Sequence, residues 1–342
     1  MNVLLNKKNE KDESFKNAGN EAKLVFLDAG TIGNDIQWPD FASLGEIVTY
    51  ETTPPELVAD RISDAEFLLT NKVVITSEHI ANAKSLRYIG TIATGYNQVD
   101  IGAAAARGIP VCNVPDYSST TVMQHVFTLL LSLTSQACEL ARSVRNGDWS
   151  KSPHFSYWFR PITELSGKTM GIVGFGDIGA KVGFPAHSFG MKVLAYAPRP
   201  KPEPDYAPFA FAGLDELFGE ADVLTLHCPL TEETRGMINA RSLGKMKNTA
   251  YLINTARGPL VNEADLCRAL EQGEIAGAGL DVVSEEPMPD SNPLRLAPNC
   301  IITPHVAWAS VEARERLMQG VFNNIKSFMN GSPENVKNGV QG

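Results

Sequence analysis

A glycine-rich turn between an apolar strand and a helix restricts the fold of this chain more than any other feature of its sequence. The apolar run 170–173 leads into the turn, and the helical pattern 180–188 follows it. In that context a G-x-G-x-x-G pattern makes a tight turn, lets the backbone approach a pyrophosphate at the helix N-terminus, and packs the helix closely on the strand. A glycine turn without a ligand is the alternative, but the flanking strand and helix favour dinucleotide binding. The expected cofactor-binding residues of the turn are Gly174, Gly176, Asp177, Ile178 and Gly179.

The rest of the chain also alternates between strand and helix patterns. Short β-rich runs and helical patterns follow one another from Leu24 to Cys112, and again from Thr169 to Thr303. Such alternation predicts an α/β protein with parallel, doubly wound sheets. Because 342 residues exceed what one hydrophobic core usually fills, we expect two domains.

The segment 119–145, between these two series, carries apolar residues at helical spacing and predicts one long helix. Its apolar stripe is wide enough to need cover beyond its own domain. We therefore expect a homodimer through this region, and burial within a single subunit is the alternative.

Composition and charge restrict the kind of partner. Hydrophobic residues make up 43% of the chain and charged residues 20%, which is typical of a soluble globular protein. No run reaches the ~18 apolar residues of a membrane-spanning helix, so no membrane partner is expected. The formal net charge of -9 argues against nucleic acid, because binding phosphates requires clustered Lys and Arg. These features favour small-molecule ligands.

The N-terminal segment 1–22 and the cysteines bear on location. The segment is polar, lacks the apolar core of a signal peptide and is too acidic for a transit peptide, so we expect a flexible extension. The five cysteines are odd in number and form no C-x-x-C pair. This usage is typical of reduced thiols in a cytoplasmic protein. No metal is expected.

The residues after the second strand of the series that begins at Thr169 indicate which dinucleotide binds. Folds of this kind that prefer NAD carry an acidic residue there, ~20 positions after the glycines, to bind the adenosine ribose. Here the strand 191–196 is followed by Ala197, and then by Arg199 and Lys201. A missing carboxylate removes repulsion against a 2′-phosphate, and a guanidinium can clamp that phosphate. The pattern favours NADP(H) without excluding NAD(H). The alternative is that these cations are merely solvated in the Pro-rich loop 198–208.

Three further segments, 254–258, 281–287 and 303–308, lie at predicted strand ends, where open α/β sheets bind their ligands. With the glycine turn, they closely resemble the D-2-isomer-specific 2-hydroxyacid dehydrogenase family. Among its members, the chain looks most like glycerate dehydrogenases or hydroxypyruvate reductases. The resemblance covers about 24–335. It implies a Rossmann NAD(P)-binding domain, 119–305, inserted in a flavodoxin-like substrate domain made of 23–118 and 306–336.

The resemblance implies that Arg257, Glu286 and His305 are catalytic. Arg257 would bind the substrate carboxylate and carbonyl with its permanently charged, forked guanidinium, the alternative being a surface salt bridge. His305 would give a proton to the carbonyl oxygen as hydride arrives from the nicotinamide. Glu286 would hold the imidazole and favour its protonated form. His227 is a rival because it also ends a strand, but only His305 matches the family's acid/base position.

The same resemblance extends to residues that border the ligands. Asp281 would face the nicotinamide amide, or else act as a capping residue. Met123 stands where the family usually has a small residue, which would alter cofactor seating only if its side chain points to the nicotinamide. Further cofactor-binding candidates are Ala197, Arg199, Pro229, Thr234, Thr255 and Ala256, and substrate-binding candidates are Lys72, Thr94, Gly95 and Arg257.

The predicted reaction is reduction of hydroxypyruvate or glyoxylate to D-glycerate or glycolate, or its reverse. One alternative is a 3-phosphoglycerate dehydrogenase, which needs further basic groups for its phosphate, with Lys72 the first to consider. The other is a non-catalytic NAD(H)-sensing protein like the corepressors that share this fold, because fold alone does not decide function.

Overall fold

The computed structural model describes residues 22–340, so all but the last residue of the predicted extension 1–22 lies outside the described residues. These residues separate into two compact units. The first unit contains 22–34, 38–114 and 321–340, and the second contains 35–37 and 115–320.

The first unit is built on one parallel sheet. Its elements are β1 (Lys23–Phe26), β2 (Glu46–Thr49), α1 (Val58–Arg61), β3 (Phe67–Thr70), α2 (Ser77–Asn82), β4 (Tyr88–Thr91), α3 (Ile101–Ala106) and β5 (Val111–Cys112). The strand order is β2-β1-β3-β4-β5, and all neighbouring strands are parallel. This is the flavodoxin-like order. Strands β3, β4 and β5 are fully buried, as expected for a sheet covered on both faces.

The second unit is a Rossmann fold. Its elements are α4 (Ser119–Ser135), α5 (Ala137–Arg145), α6 (Asp148–Lys151), β6 (Thr169–Val173), α7 (Asp177–Ser188), β7 (Lys192–Tyr196), β8 (Phe209–Phe211), α8 (Leu214–Glu220), β9 (Val223–Leu226), α9 (Ala240–Leu243), β10 (Tyr251–Asn254), α10 (Glu263–Glu271), β11 (Gly277–Leu280) and β12 (Cys300–Ile302). The order β12-β11-β10-β9-β6-β7-β8 is the doubly wound order 3-2-1-4-5-6 with one strand added. The predicted fold class is confirmed.

The last helix, α11 (Val311–Met329), begins in the second unit, and its residues from Val321 onward belong to the first. Sequence reasoning assigns 306–336 to the substrate domain, and that assignment stays a prediction. Two contacts tie 306–320 to the second unit: the hydroxyls of Ser310 and Thr121 are 2.9 Å apart, and Arg316 Nε donates to the carbonyl of Tyr117 at 2.9 Å.

The segment 119–145 is two helices rather than the single helix that its periodicity predicts. Gln136 separates them with left-handed backbone angles, φ 57° and ψ 25°. Its buried side chain donates to the carbonyl of Arg160 (2.6 Å) and accepts from the amides of Phe159 and Arg160 (3.1 Å each). These bonds to a distant loop hold the break, which apolar spacing alone does not reveal.

Strand β8 was also missed, because it follows the Pro-rich loop 198–208. An aromatic cluster stabilises it: the ring of Phe175 lies 5.1 Å from that of Phe209 and 5.6 Å from that of Phe211.

Three features of residues 22–340 concern membrane spans, cysteines and metal ligands. No helix in this range is long and apolar enough to cross a membrane. All five cysteines are free thiols. No group of three or more His, Cys, Asp or Glu in this range is placed to hold a metal ion.

Candidate active site

Parallel strands of the second unit bring the candidate residues to one edge. The strands β6, β9, β10, β11 and β12 all run in the same direction. The segments that follow them therefore emerge at the same, carboxyl edge of the sheet. The glycine turn follows β6, Arg257 follows β10, and the segments that carry Glu286 and His305 follow β11 and β12.

Two glycines of the turn are required by packing. Gly174 has φ +97°, and a Cβ there would lie 2.7 Å from backbone atoms of His227 and Cys228. A Cβ on Gly179 would overlap the carbonyl oxygen of Gly174. These two positions hold the tight turn and the close approach of α7 to the sheet.

Gly176 differs because a Cβ there would meet no atom within 4 Å. It is the N-cap of α7, with extended backbone angles. Open space beside the N-terminus of a twelve-residue helix is what a pyrophosphate requires. Asp177 begins α7 and forms an ion pair with Lys181, whereas Ile178 packs partly against the core of the second unit.

The strand end that discriminates between dinucleotides carries no carboxylate. Strand β7 ends at Tyr196, and Ala197, the next residue, is half-buried against the core. Arg199 and Lys201 are exposed. The ring of Tyr206 stacks on His187 of α7 at 5.1 Å, which ties this loop to the cofactor helix.

The remaining candidate residues for cofactor binding lie in the loops after β9 and β10. The hydroxyl of Thr234 donates to the carbonyl of Pro229 at 2.8 Å. The buried side chain of Asn254 accepts from the amide of Ala256 (3.0 Å) and donates to the carbonyl of Arg257 (2.9 Å). The hydroxyl of Thr255 is shielded from solvent and has no hydrogen-bond partner within residues 22–340. An orphaned buried hydroxyl at the carboxyl end of a strand in the sheet that carries the glycine turn fits a ribose, so these residues are suited to a dinucleotide.

Arg257 is half-buried, and its Nη1 donates to the carbonyl of Ala256 at 2.6 Å. Burial raises the pKa of the nearby Tyr117 hydroxyl to about 12, although Ser118 and the charge of Arg257 oppose the shift. The next residue is Gly258, where a Cβ would overlap the backbone of Val283. This close approach packs the Arg257 loop against the segment that leads to Glu286.

His305 and Glu286 form the central pair. His305 Nδ1 lies 2.6 Å from Glu286 Oε2, with a quarter of the His305 side chain and a third of the Glu286 side chain exposed. The other carboxylate oxygen accepts from the amide of Val283 at 3.2 Å. Because Nδ1 faces the carboxylate, Nε2 takes no part in this contact. His305 has φ +54°, a left-handed conformation that surrounding contacts must hold in a non-glycine residue.

The Asp281 carboxylate supplies several of those contacts. It accepts from the amides of Val306 (2.9 Å) and Ala307 (2.7 Å) and from the hydroxyl of Thr303 (2.5 Å). Burial opposes ionisation of Asp281, but hydrogen bonds from His125, Thr303 and these amides outweigh it and lower the pKa. Both carboxylate oxygens of Asp281 thus accept hydrogen bonds from the segment around His305. This arrangement agrees with the alternative that Asp281 is a capping residue.

His227 is not suited to acid/base chemistry near neutrality. Removal of its imidazole from solvent lowers the pKa to about 3, and Nε2 lies 2.8 Å from the hydroxyl of Thr225. The side chain of Met123 packs partly against the core. We therefore expect no change in how the cofactor is seated.

Lys72, Thr94 and Gly95 lie in the first unit. The buried carboxylate of Asp28 holds the Lys72 loop, since it accepts from the amides of 71, 72 and 73 at 2.9, 2.6 and 3.2 Å. Asn113 Nδ2 donates to the carbonyl of Thr94 at 2.6 Å. Sequence reasoning missed both supports, although the acid directly after the first strand was a possible signal.

The family whose pattern is described as D-isomer specific 2-hydroxyacid dehydrogenase, NAD binding domain, matches residues 127–307. This range is more than half of the chain and contains the glycine turn and the His305–Glu286 pair. The chain belongs to the D-isomer-specific 2-hydroxyacid dehydrogenase family. The family predicted from the sequence is thereby confirmed, and the protein is a nicotinamide-dependent oxidoreductase of 2-hydroxy acids.

Members of the family resemble this chain over nearly their whole length. The hydroxypyruvate reductase of Blautia hydrogenotrophica is 42% identical over 320 residues, covering 92% of this chain and 99% of the relative. The glycerate dehydrogenase of Methylorubrum extorquens is 42% identical over 317 residues, covering 92% of this chain and 98% of the relative. A crystal structure described as NADPH-dependent glyoxylate/hydroxypyruvate reductase from Sinorhizobium meliloti, with NADP and malonate, has a TM-score of 0.81 and 28% identity, covering 93% of this chain and 97% of that one.

Proposed function

We propose that this protein reduces hydroxypyruvate and glyoxylate to D-glycerate and glycolate with NAD(P)H, and catalyses the reverse oxidations. The 2.6 Å contact between His305 Nδ1 and Glu286 Oε2 carries the proposal. It gives this family member a histidine whose ring is orientated for proton transfer by a hydrogen bond to a carboxylate. The names of the two relatives at 42% identity supply hydroxypyruvate and glycerate as substrates, and the name of the Sinorhizobium meliloti reductase adds glyoxylate.

Each catalytic residue has one role in this proposal. Arg257 binds the carboxylate of the keto acid, since a forked, permanently charged guanidinium matches its geometry. A bound reduced nicotinamide supplies the hydride. His305 Nε2 gives its proton to the carbonyl oxygen, which becomes the hydroxyl of the product, and takes it back during oxidation. Glu286 keeps its hydrogen bond to Nδ1 throughout and balances the imidazolium charge.

We also propose how the chain divides these tasks. Residues 119–305 bind the dinucleotide, and residues 23–118 with 306–336 contribute substrate contacts through Lys72, Thr94 and Gly95. The buried carboxylate of Asp28 supports this proposal because it holds three consecutive amides around Lys72, which fixes a loop that must present a cation. Lys72→Ala is then expected to raise the KM for the keto acid and leave dinucleotide affinity unchanged.

NADP(H) is the proposed cofactor. Ala197 presents no carboxylate to repel a 2′-phosphate, and the exposed Arg199 follows it two positions later in the chain. The Sinorhizobium meliloti reductase described as NADPH-dependent supports this choice. Ala197→Asp is expected to shift preference towards NADH, and Arg199→Ala to weaken NADPH more than NADH. Equal effects on both cofactors would argue for NAD(H).

A homodimer is proposed through the 119–145 helix region, where Leu131 and Val144 are exposed, together with the segment 146–162 that follows it. Large apolar side chains are also exposed in this second segment, which is typical of a subunit interface. They are Trp149 (52% exposed), Phe155 (91%), Trp158 (61%), Phe159 (51%) and Ile162 (55%). Sedimentation equilibrium is expected to give a dimer mass that falls to a monomer mass in Phe155→Asp, and a monomeric wild type would contradict the proposal.

The direct test follows reduced-nicotinamide absorbance with hydroxypyruvate, glyoxylate, pyruvate and 3-phosphohydroxypyruvate. NADPH and NADH are compared side by side. His305→Ala is expected to abolish turnover, whereas His154→Ala, which removes an exposed histidine elsewhere in the same unit, should leave it intact. Selective turnover of the phosphorylated acid would favour the phosphoglycerate alternative, and tight dinucleotide binding without any turnover would favour the sensing alternative.

A further inference from the structure

A second histidine contacts the network that holds the His305 segment. His125 lies on α4, and its Nε2 is 2.9 Å from the hydroxyl oxygen of Thr303 and 3.4 Å from Asp281 Oδ1. Its side chain is 16% exposed, whereas the Asp281 side chain is fully buried. His125 is 178 residues from Thr303 in the chain. The contact therefore joins a helix to the ends of β11 and β12.

The direction of the hydrogen bonds follows from the number of hydrogens available. Asp281 accepts from two amides and from Thr303, as an ionised carboxylate does. The single hydrogen of the Thr303 hydroxyl is used in that bond. Since Nε2 of His125 faces the same hydroxyl oxygen, it must carry a hydrogen and donate it. The order of donation is thus His125 to Thr303 to Asp281, with the carboxylate as the final acceptor.

Asp281 forms hydrogen bonds with His305 and with the two residues that follow it. Its carboxylate holds the amides of Val306 and Ala307, and its own carbonyl accepts from the amide of His305 at 2.8 Å. On the far side, the indole of Trp308 donates to the carbonyl of His305 at 2.9 Å. The left-handed backbone of His305 is therefore enclosed by hydrogen bonds, and His125 anchors them to α4.

We propose that His125 is a positioning residue of the reaction, which orientates His305 through Thr303 and Asp281. The proposal rests on the proposed function, because it assumes that His305 is the proton donor. Loss of the His125 donor leaves the Thr303 hydroxyl free to turn away from Asp281, which loosens the segment on which His305 sits. A misplacement of about 1 Å in a reacting group can reduce turnover by about a hundredfold.

The chain offers matched variants that separate the hydrogen bond from the bulk of the side chain. His125→Leu and Thr303→Val remove the polar atoms at similar volume, whereas His125→Gln and Thr303→Ser retain a donor and a hydroxyl. Thr128→Val is the control. Thr128 is exposed on the same helix, and its hydroxyl donates to the carbonyl of Gln124 within that helix.

Turnover and binding are measured on each variant. His125→Leu and Thr303→Val are each expected to lower kcat by roughly ten- to a hundredfold, with a larger solvent deuterium isotope effect and unchanged dinucleotide Kd. His125→Gln and Thr303→Ser should restore most of kcat. The double variant that combines His125→Leu with Thr303→Val should have a kcat no lower than that of either single variant, since both substitutions remove the same interaction. Wild-type kcat in His125→Leu would overturn the proposal, as would a Gln variant as slow as the Leu variant.

Amide hydrogen exchange gives a readout that does not need turnover. The amides of Val306 and Ala307 are bonded to Asp281, so His125→Leu should speed their exchange and His125→Gln should not. Equal exchange in wild type and His125→Leu overturns the proposal. A wild type that reduces none of the keto acids contradicts the proposed function instead, and faster exchange in the Leu variant would still support the network.

Discussion

Substitution by alanine should affect stability at one glycine of the turn and dinucleotide binding at another. Gly179→Ala is expected to destabilise the second unit, because the new Cβ would overlap the carbonyl oxygen of Gly174 and crowd Ile172. Gly176→Ala should leave stability nearly unchanged, because a Cβ there meets no atom within 4 Å and its φ of -91° is available to alanine. It should weaken dinucleotide binding instead, since its methyl group would occupy space needed by the pyrophosphate.

The magnitudes follow from the kind of clash. Overpacking a rigid core typically costs about 1–3 kcal/mol, and each kcal/mol lowers Tm by roughly 2–4 °C in a unit of this size. Gly179→Ala should therefore lower Tm by a few degrees or more. For Gly176→Ala the change in stability should stay within about 1 kcal/mol. A tenfold or greater rise in dinucleotide Kd corresponds to about 1.4 kcal/mol or more.

Thermal unfolding without ligand and calorimetric titration with NADPH and NADH measure the two effects separately. Gly213→Ala is the control, because Gly213 is also an N-cap glycine of the second unit, and a Cβ there would have no atom within 4 Å. It should change neither quantity. Unchanged Kd in Gly176→Ala would refute the assigned pyrophosphate position, and unchanged Tm in Gly179→Ala would refute the packing argument.

Three further predictions concern charge and pH. Glu286→Gln should lower kcat by about a hundredfold with dinucleotide Kd unchanged, because a neutral amide is a weaker hydrogen-bond acceptor than a carboxylate and orientates His305 less firmly. Steady-state kinetics and calorimetry measure the two quantities, and an unaltered kcat would contradict this role. Burial lowers the pKa of His227 from 6.5 to about 3, so the folded state resists its protonation and loses stability as pH falls below 6.5. His227→Asn should reduce that loss in urea unfolding between pH 7 and pH 5, and an identical slope would count against it. The pKa of Asp281 lies below its ordinary 3.8, so its stabilisation is complete above that value and is lost as pH falls through the lowered pKa. Asp281→Asn should therefore be more destabilising at pH 7 than at pH 3, and equal unfolding midpoints of the variant and wild type at pH 7 would contradict the network.

Sequence reasoning was most successful where function depends on local chain geometry. The glycine turn was predictable because its three glycines stand at fixed spacing in a local motif, between an apolar strand and a helix. Arg257, Glu286 and His305 were predicted by resemblance to a family, and the structure brings Glu286 and His305 into contact at 2.6 Å. The break at Gln136 was not predictable, because a helical pattern continues on both sides and the bonds that hold the break come from a loop 24 residues away.

The sequence by itself determined the alternation of strands and helices and the glycine turn, since these follow from short-range periodicity, steric limits and a local motif, and resemblance to a family identified the proposed proton donor. Only the tertiary structure decided which groups hold that donor in place. His125 and Asp281 contact Thr303 across 178 and 22 residues of chain, and no local pattern records such a pairing. The parallel sheet brings Asp281 and Thr303 together, because it gathers the carboxyl ends of strands that are distant in sequence along one edge. The packing of α4 against the same sheet adds His125, and hydrogen bonds among these buried polar groups then have to be completed.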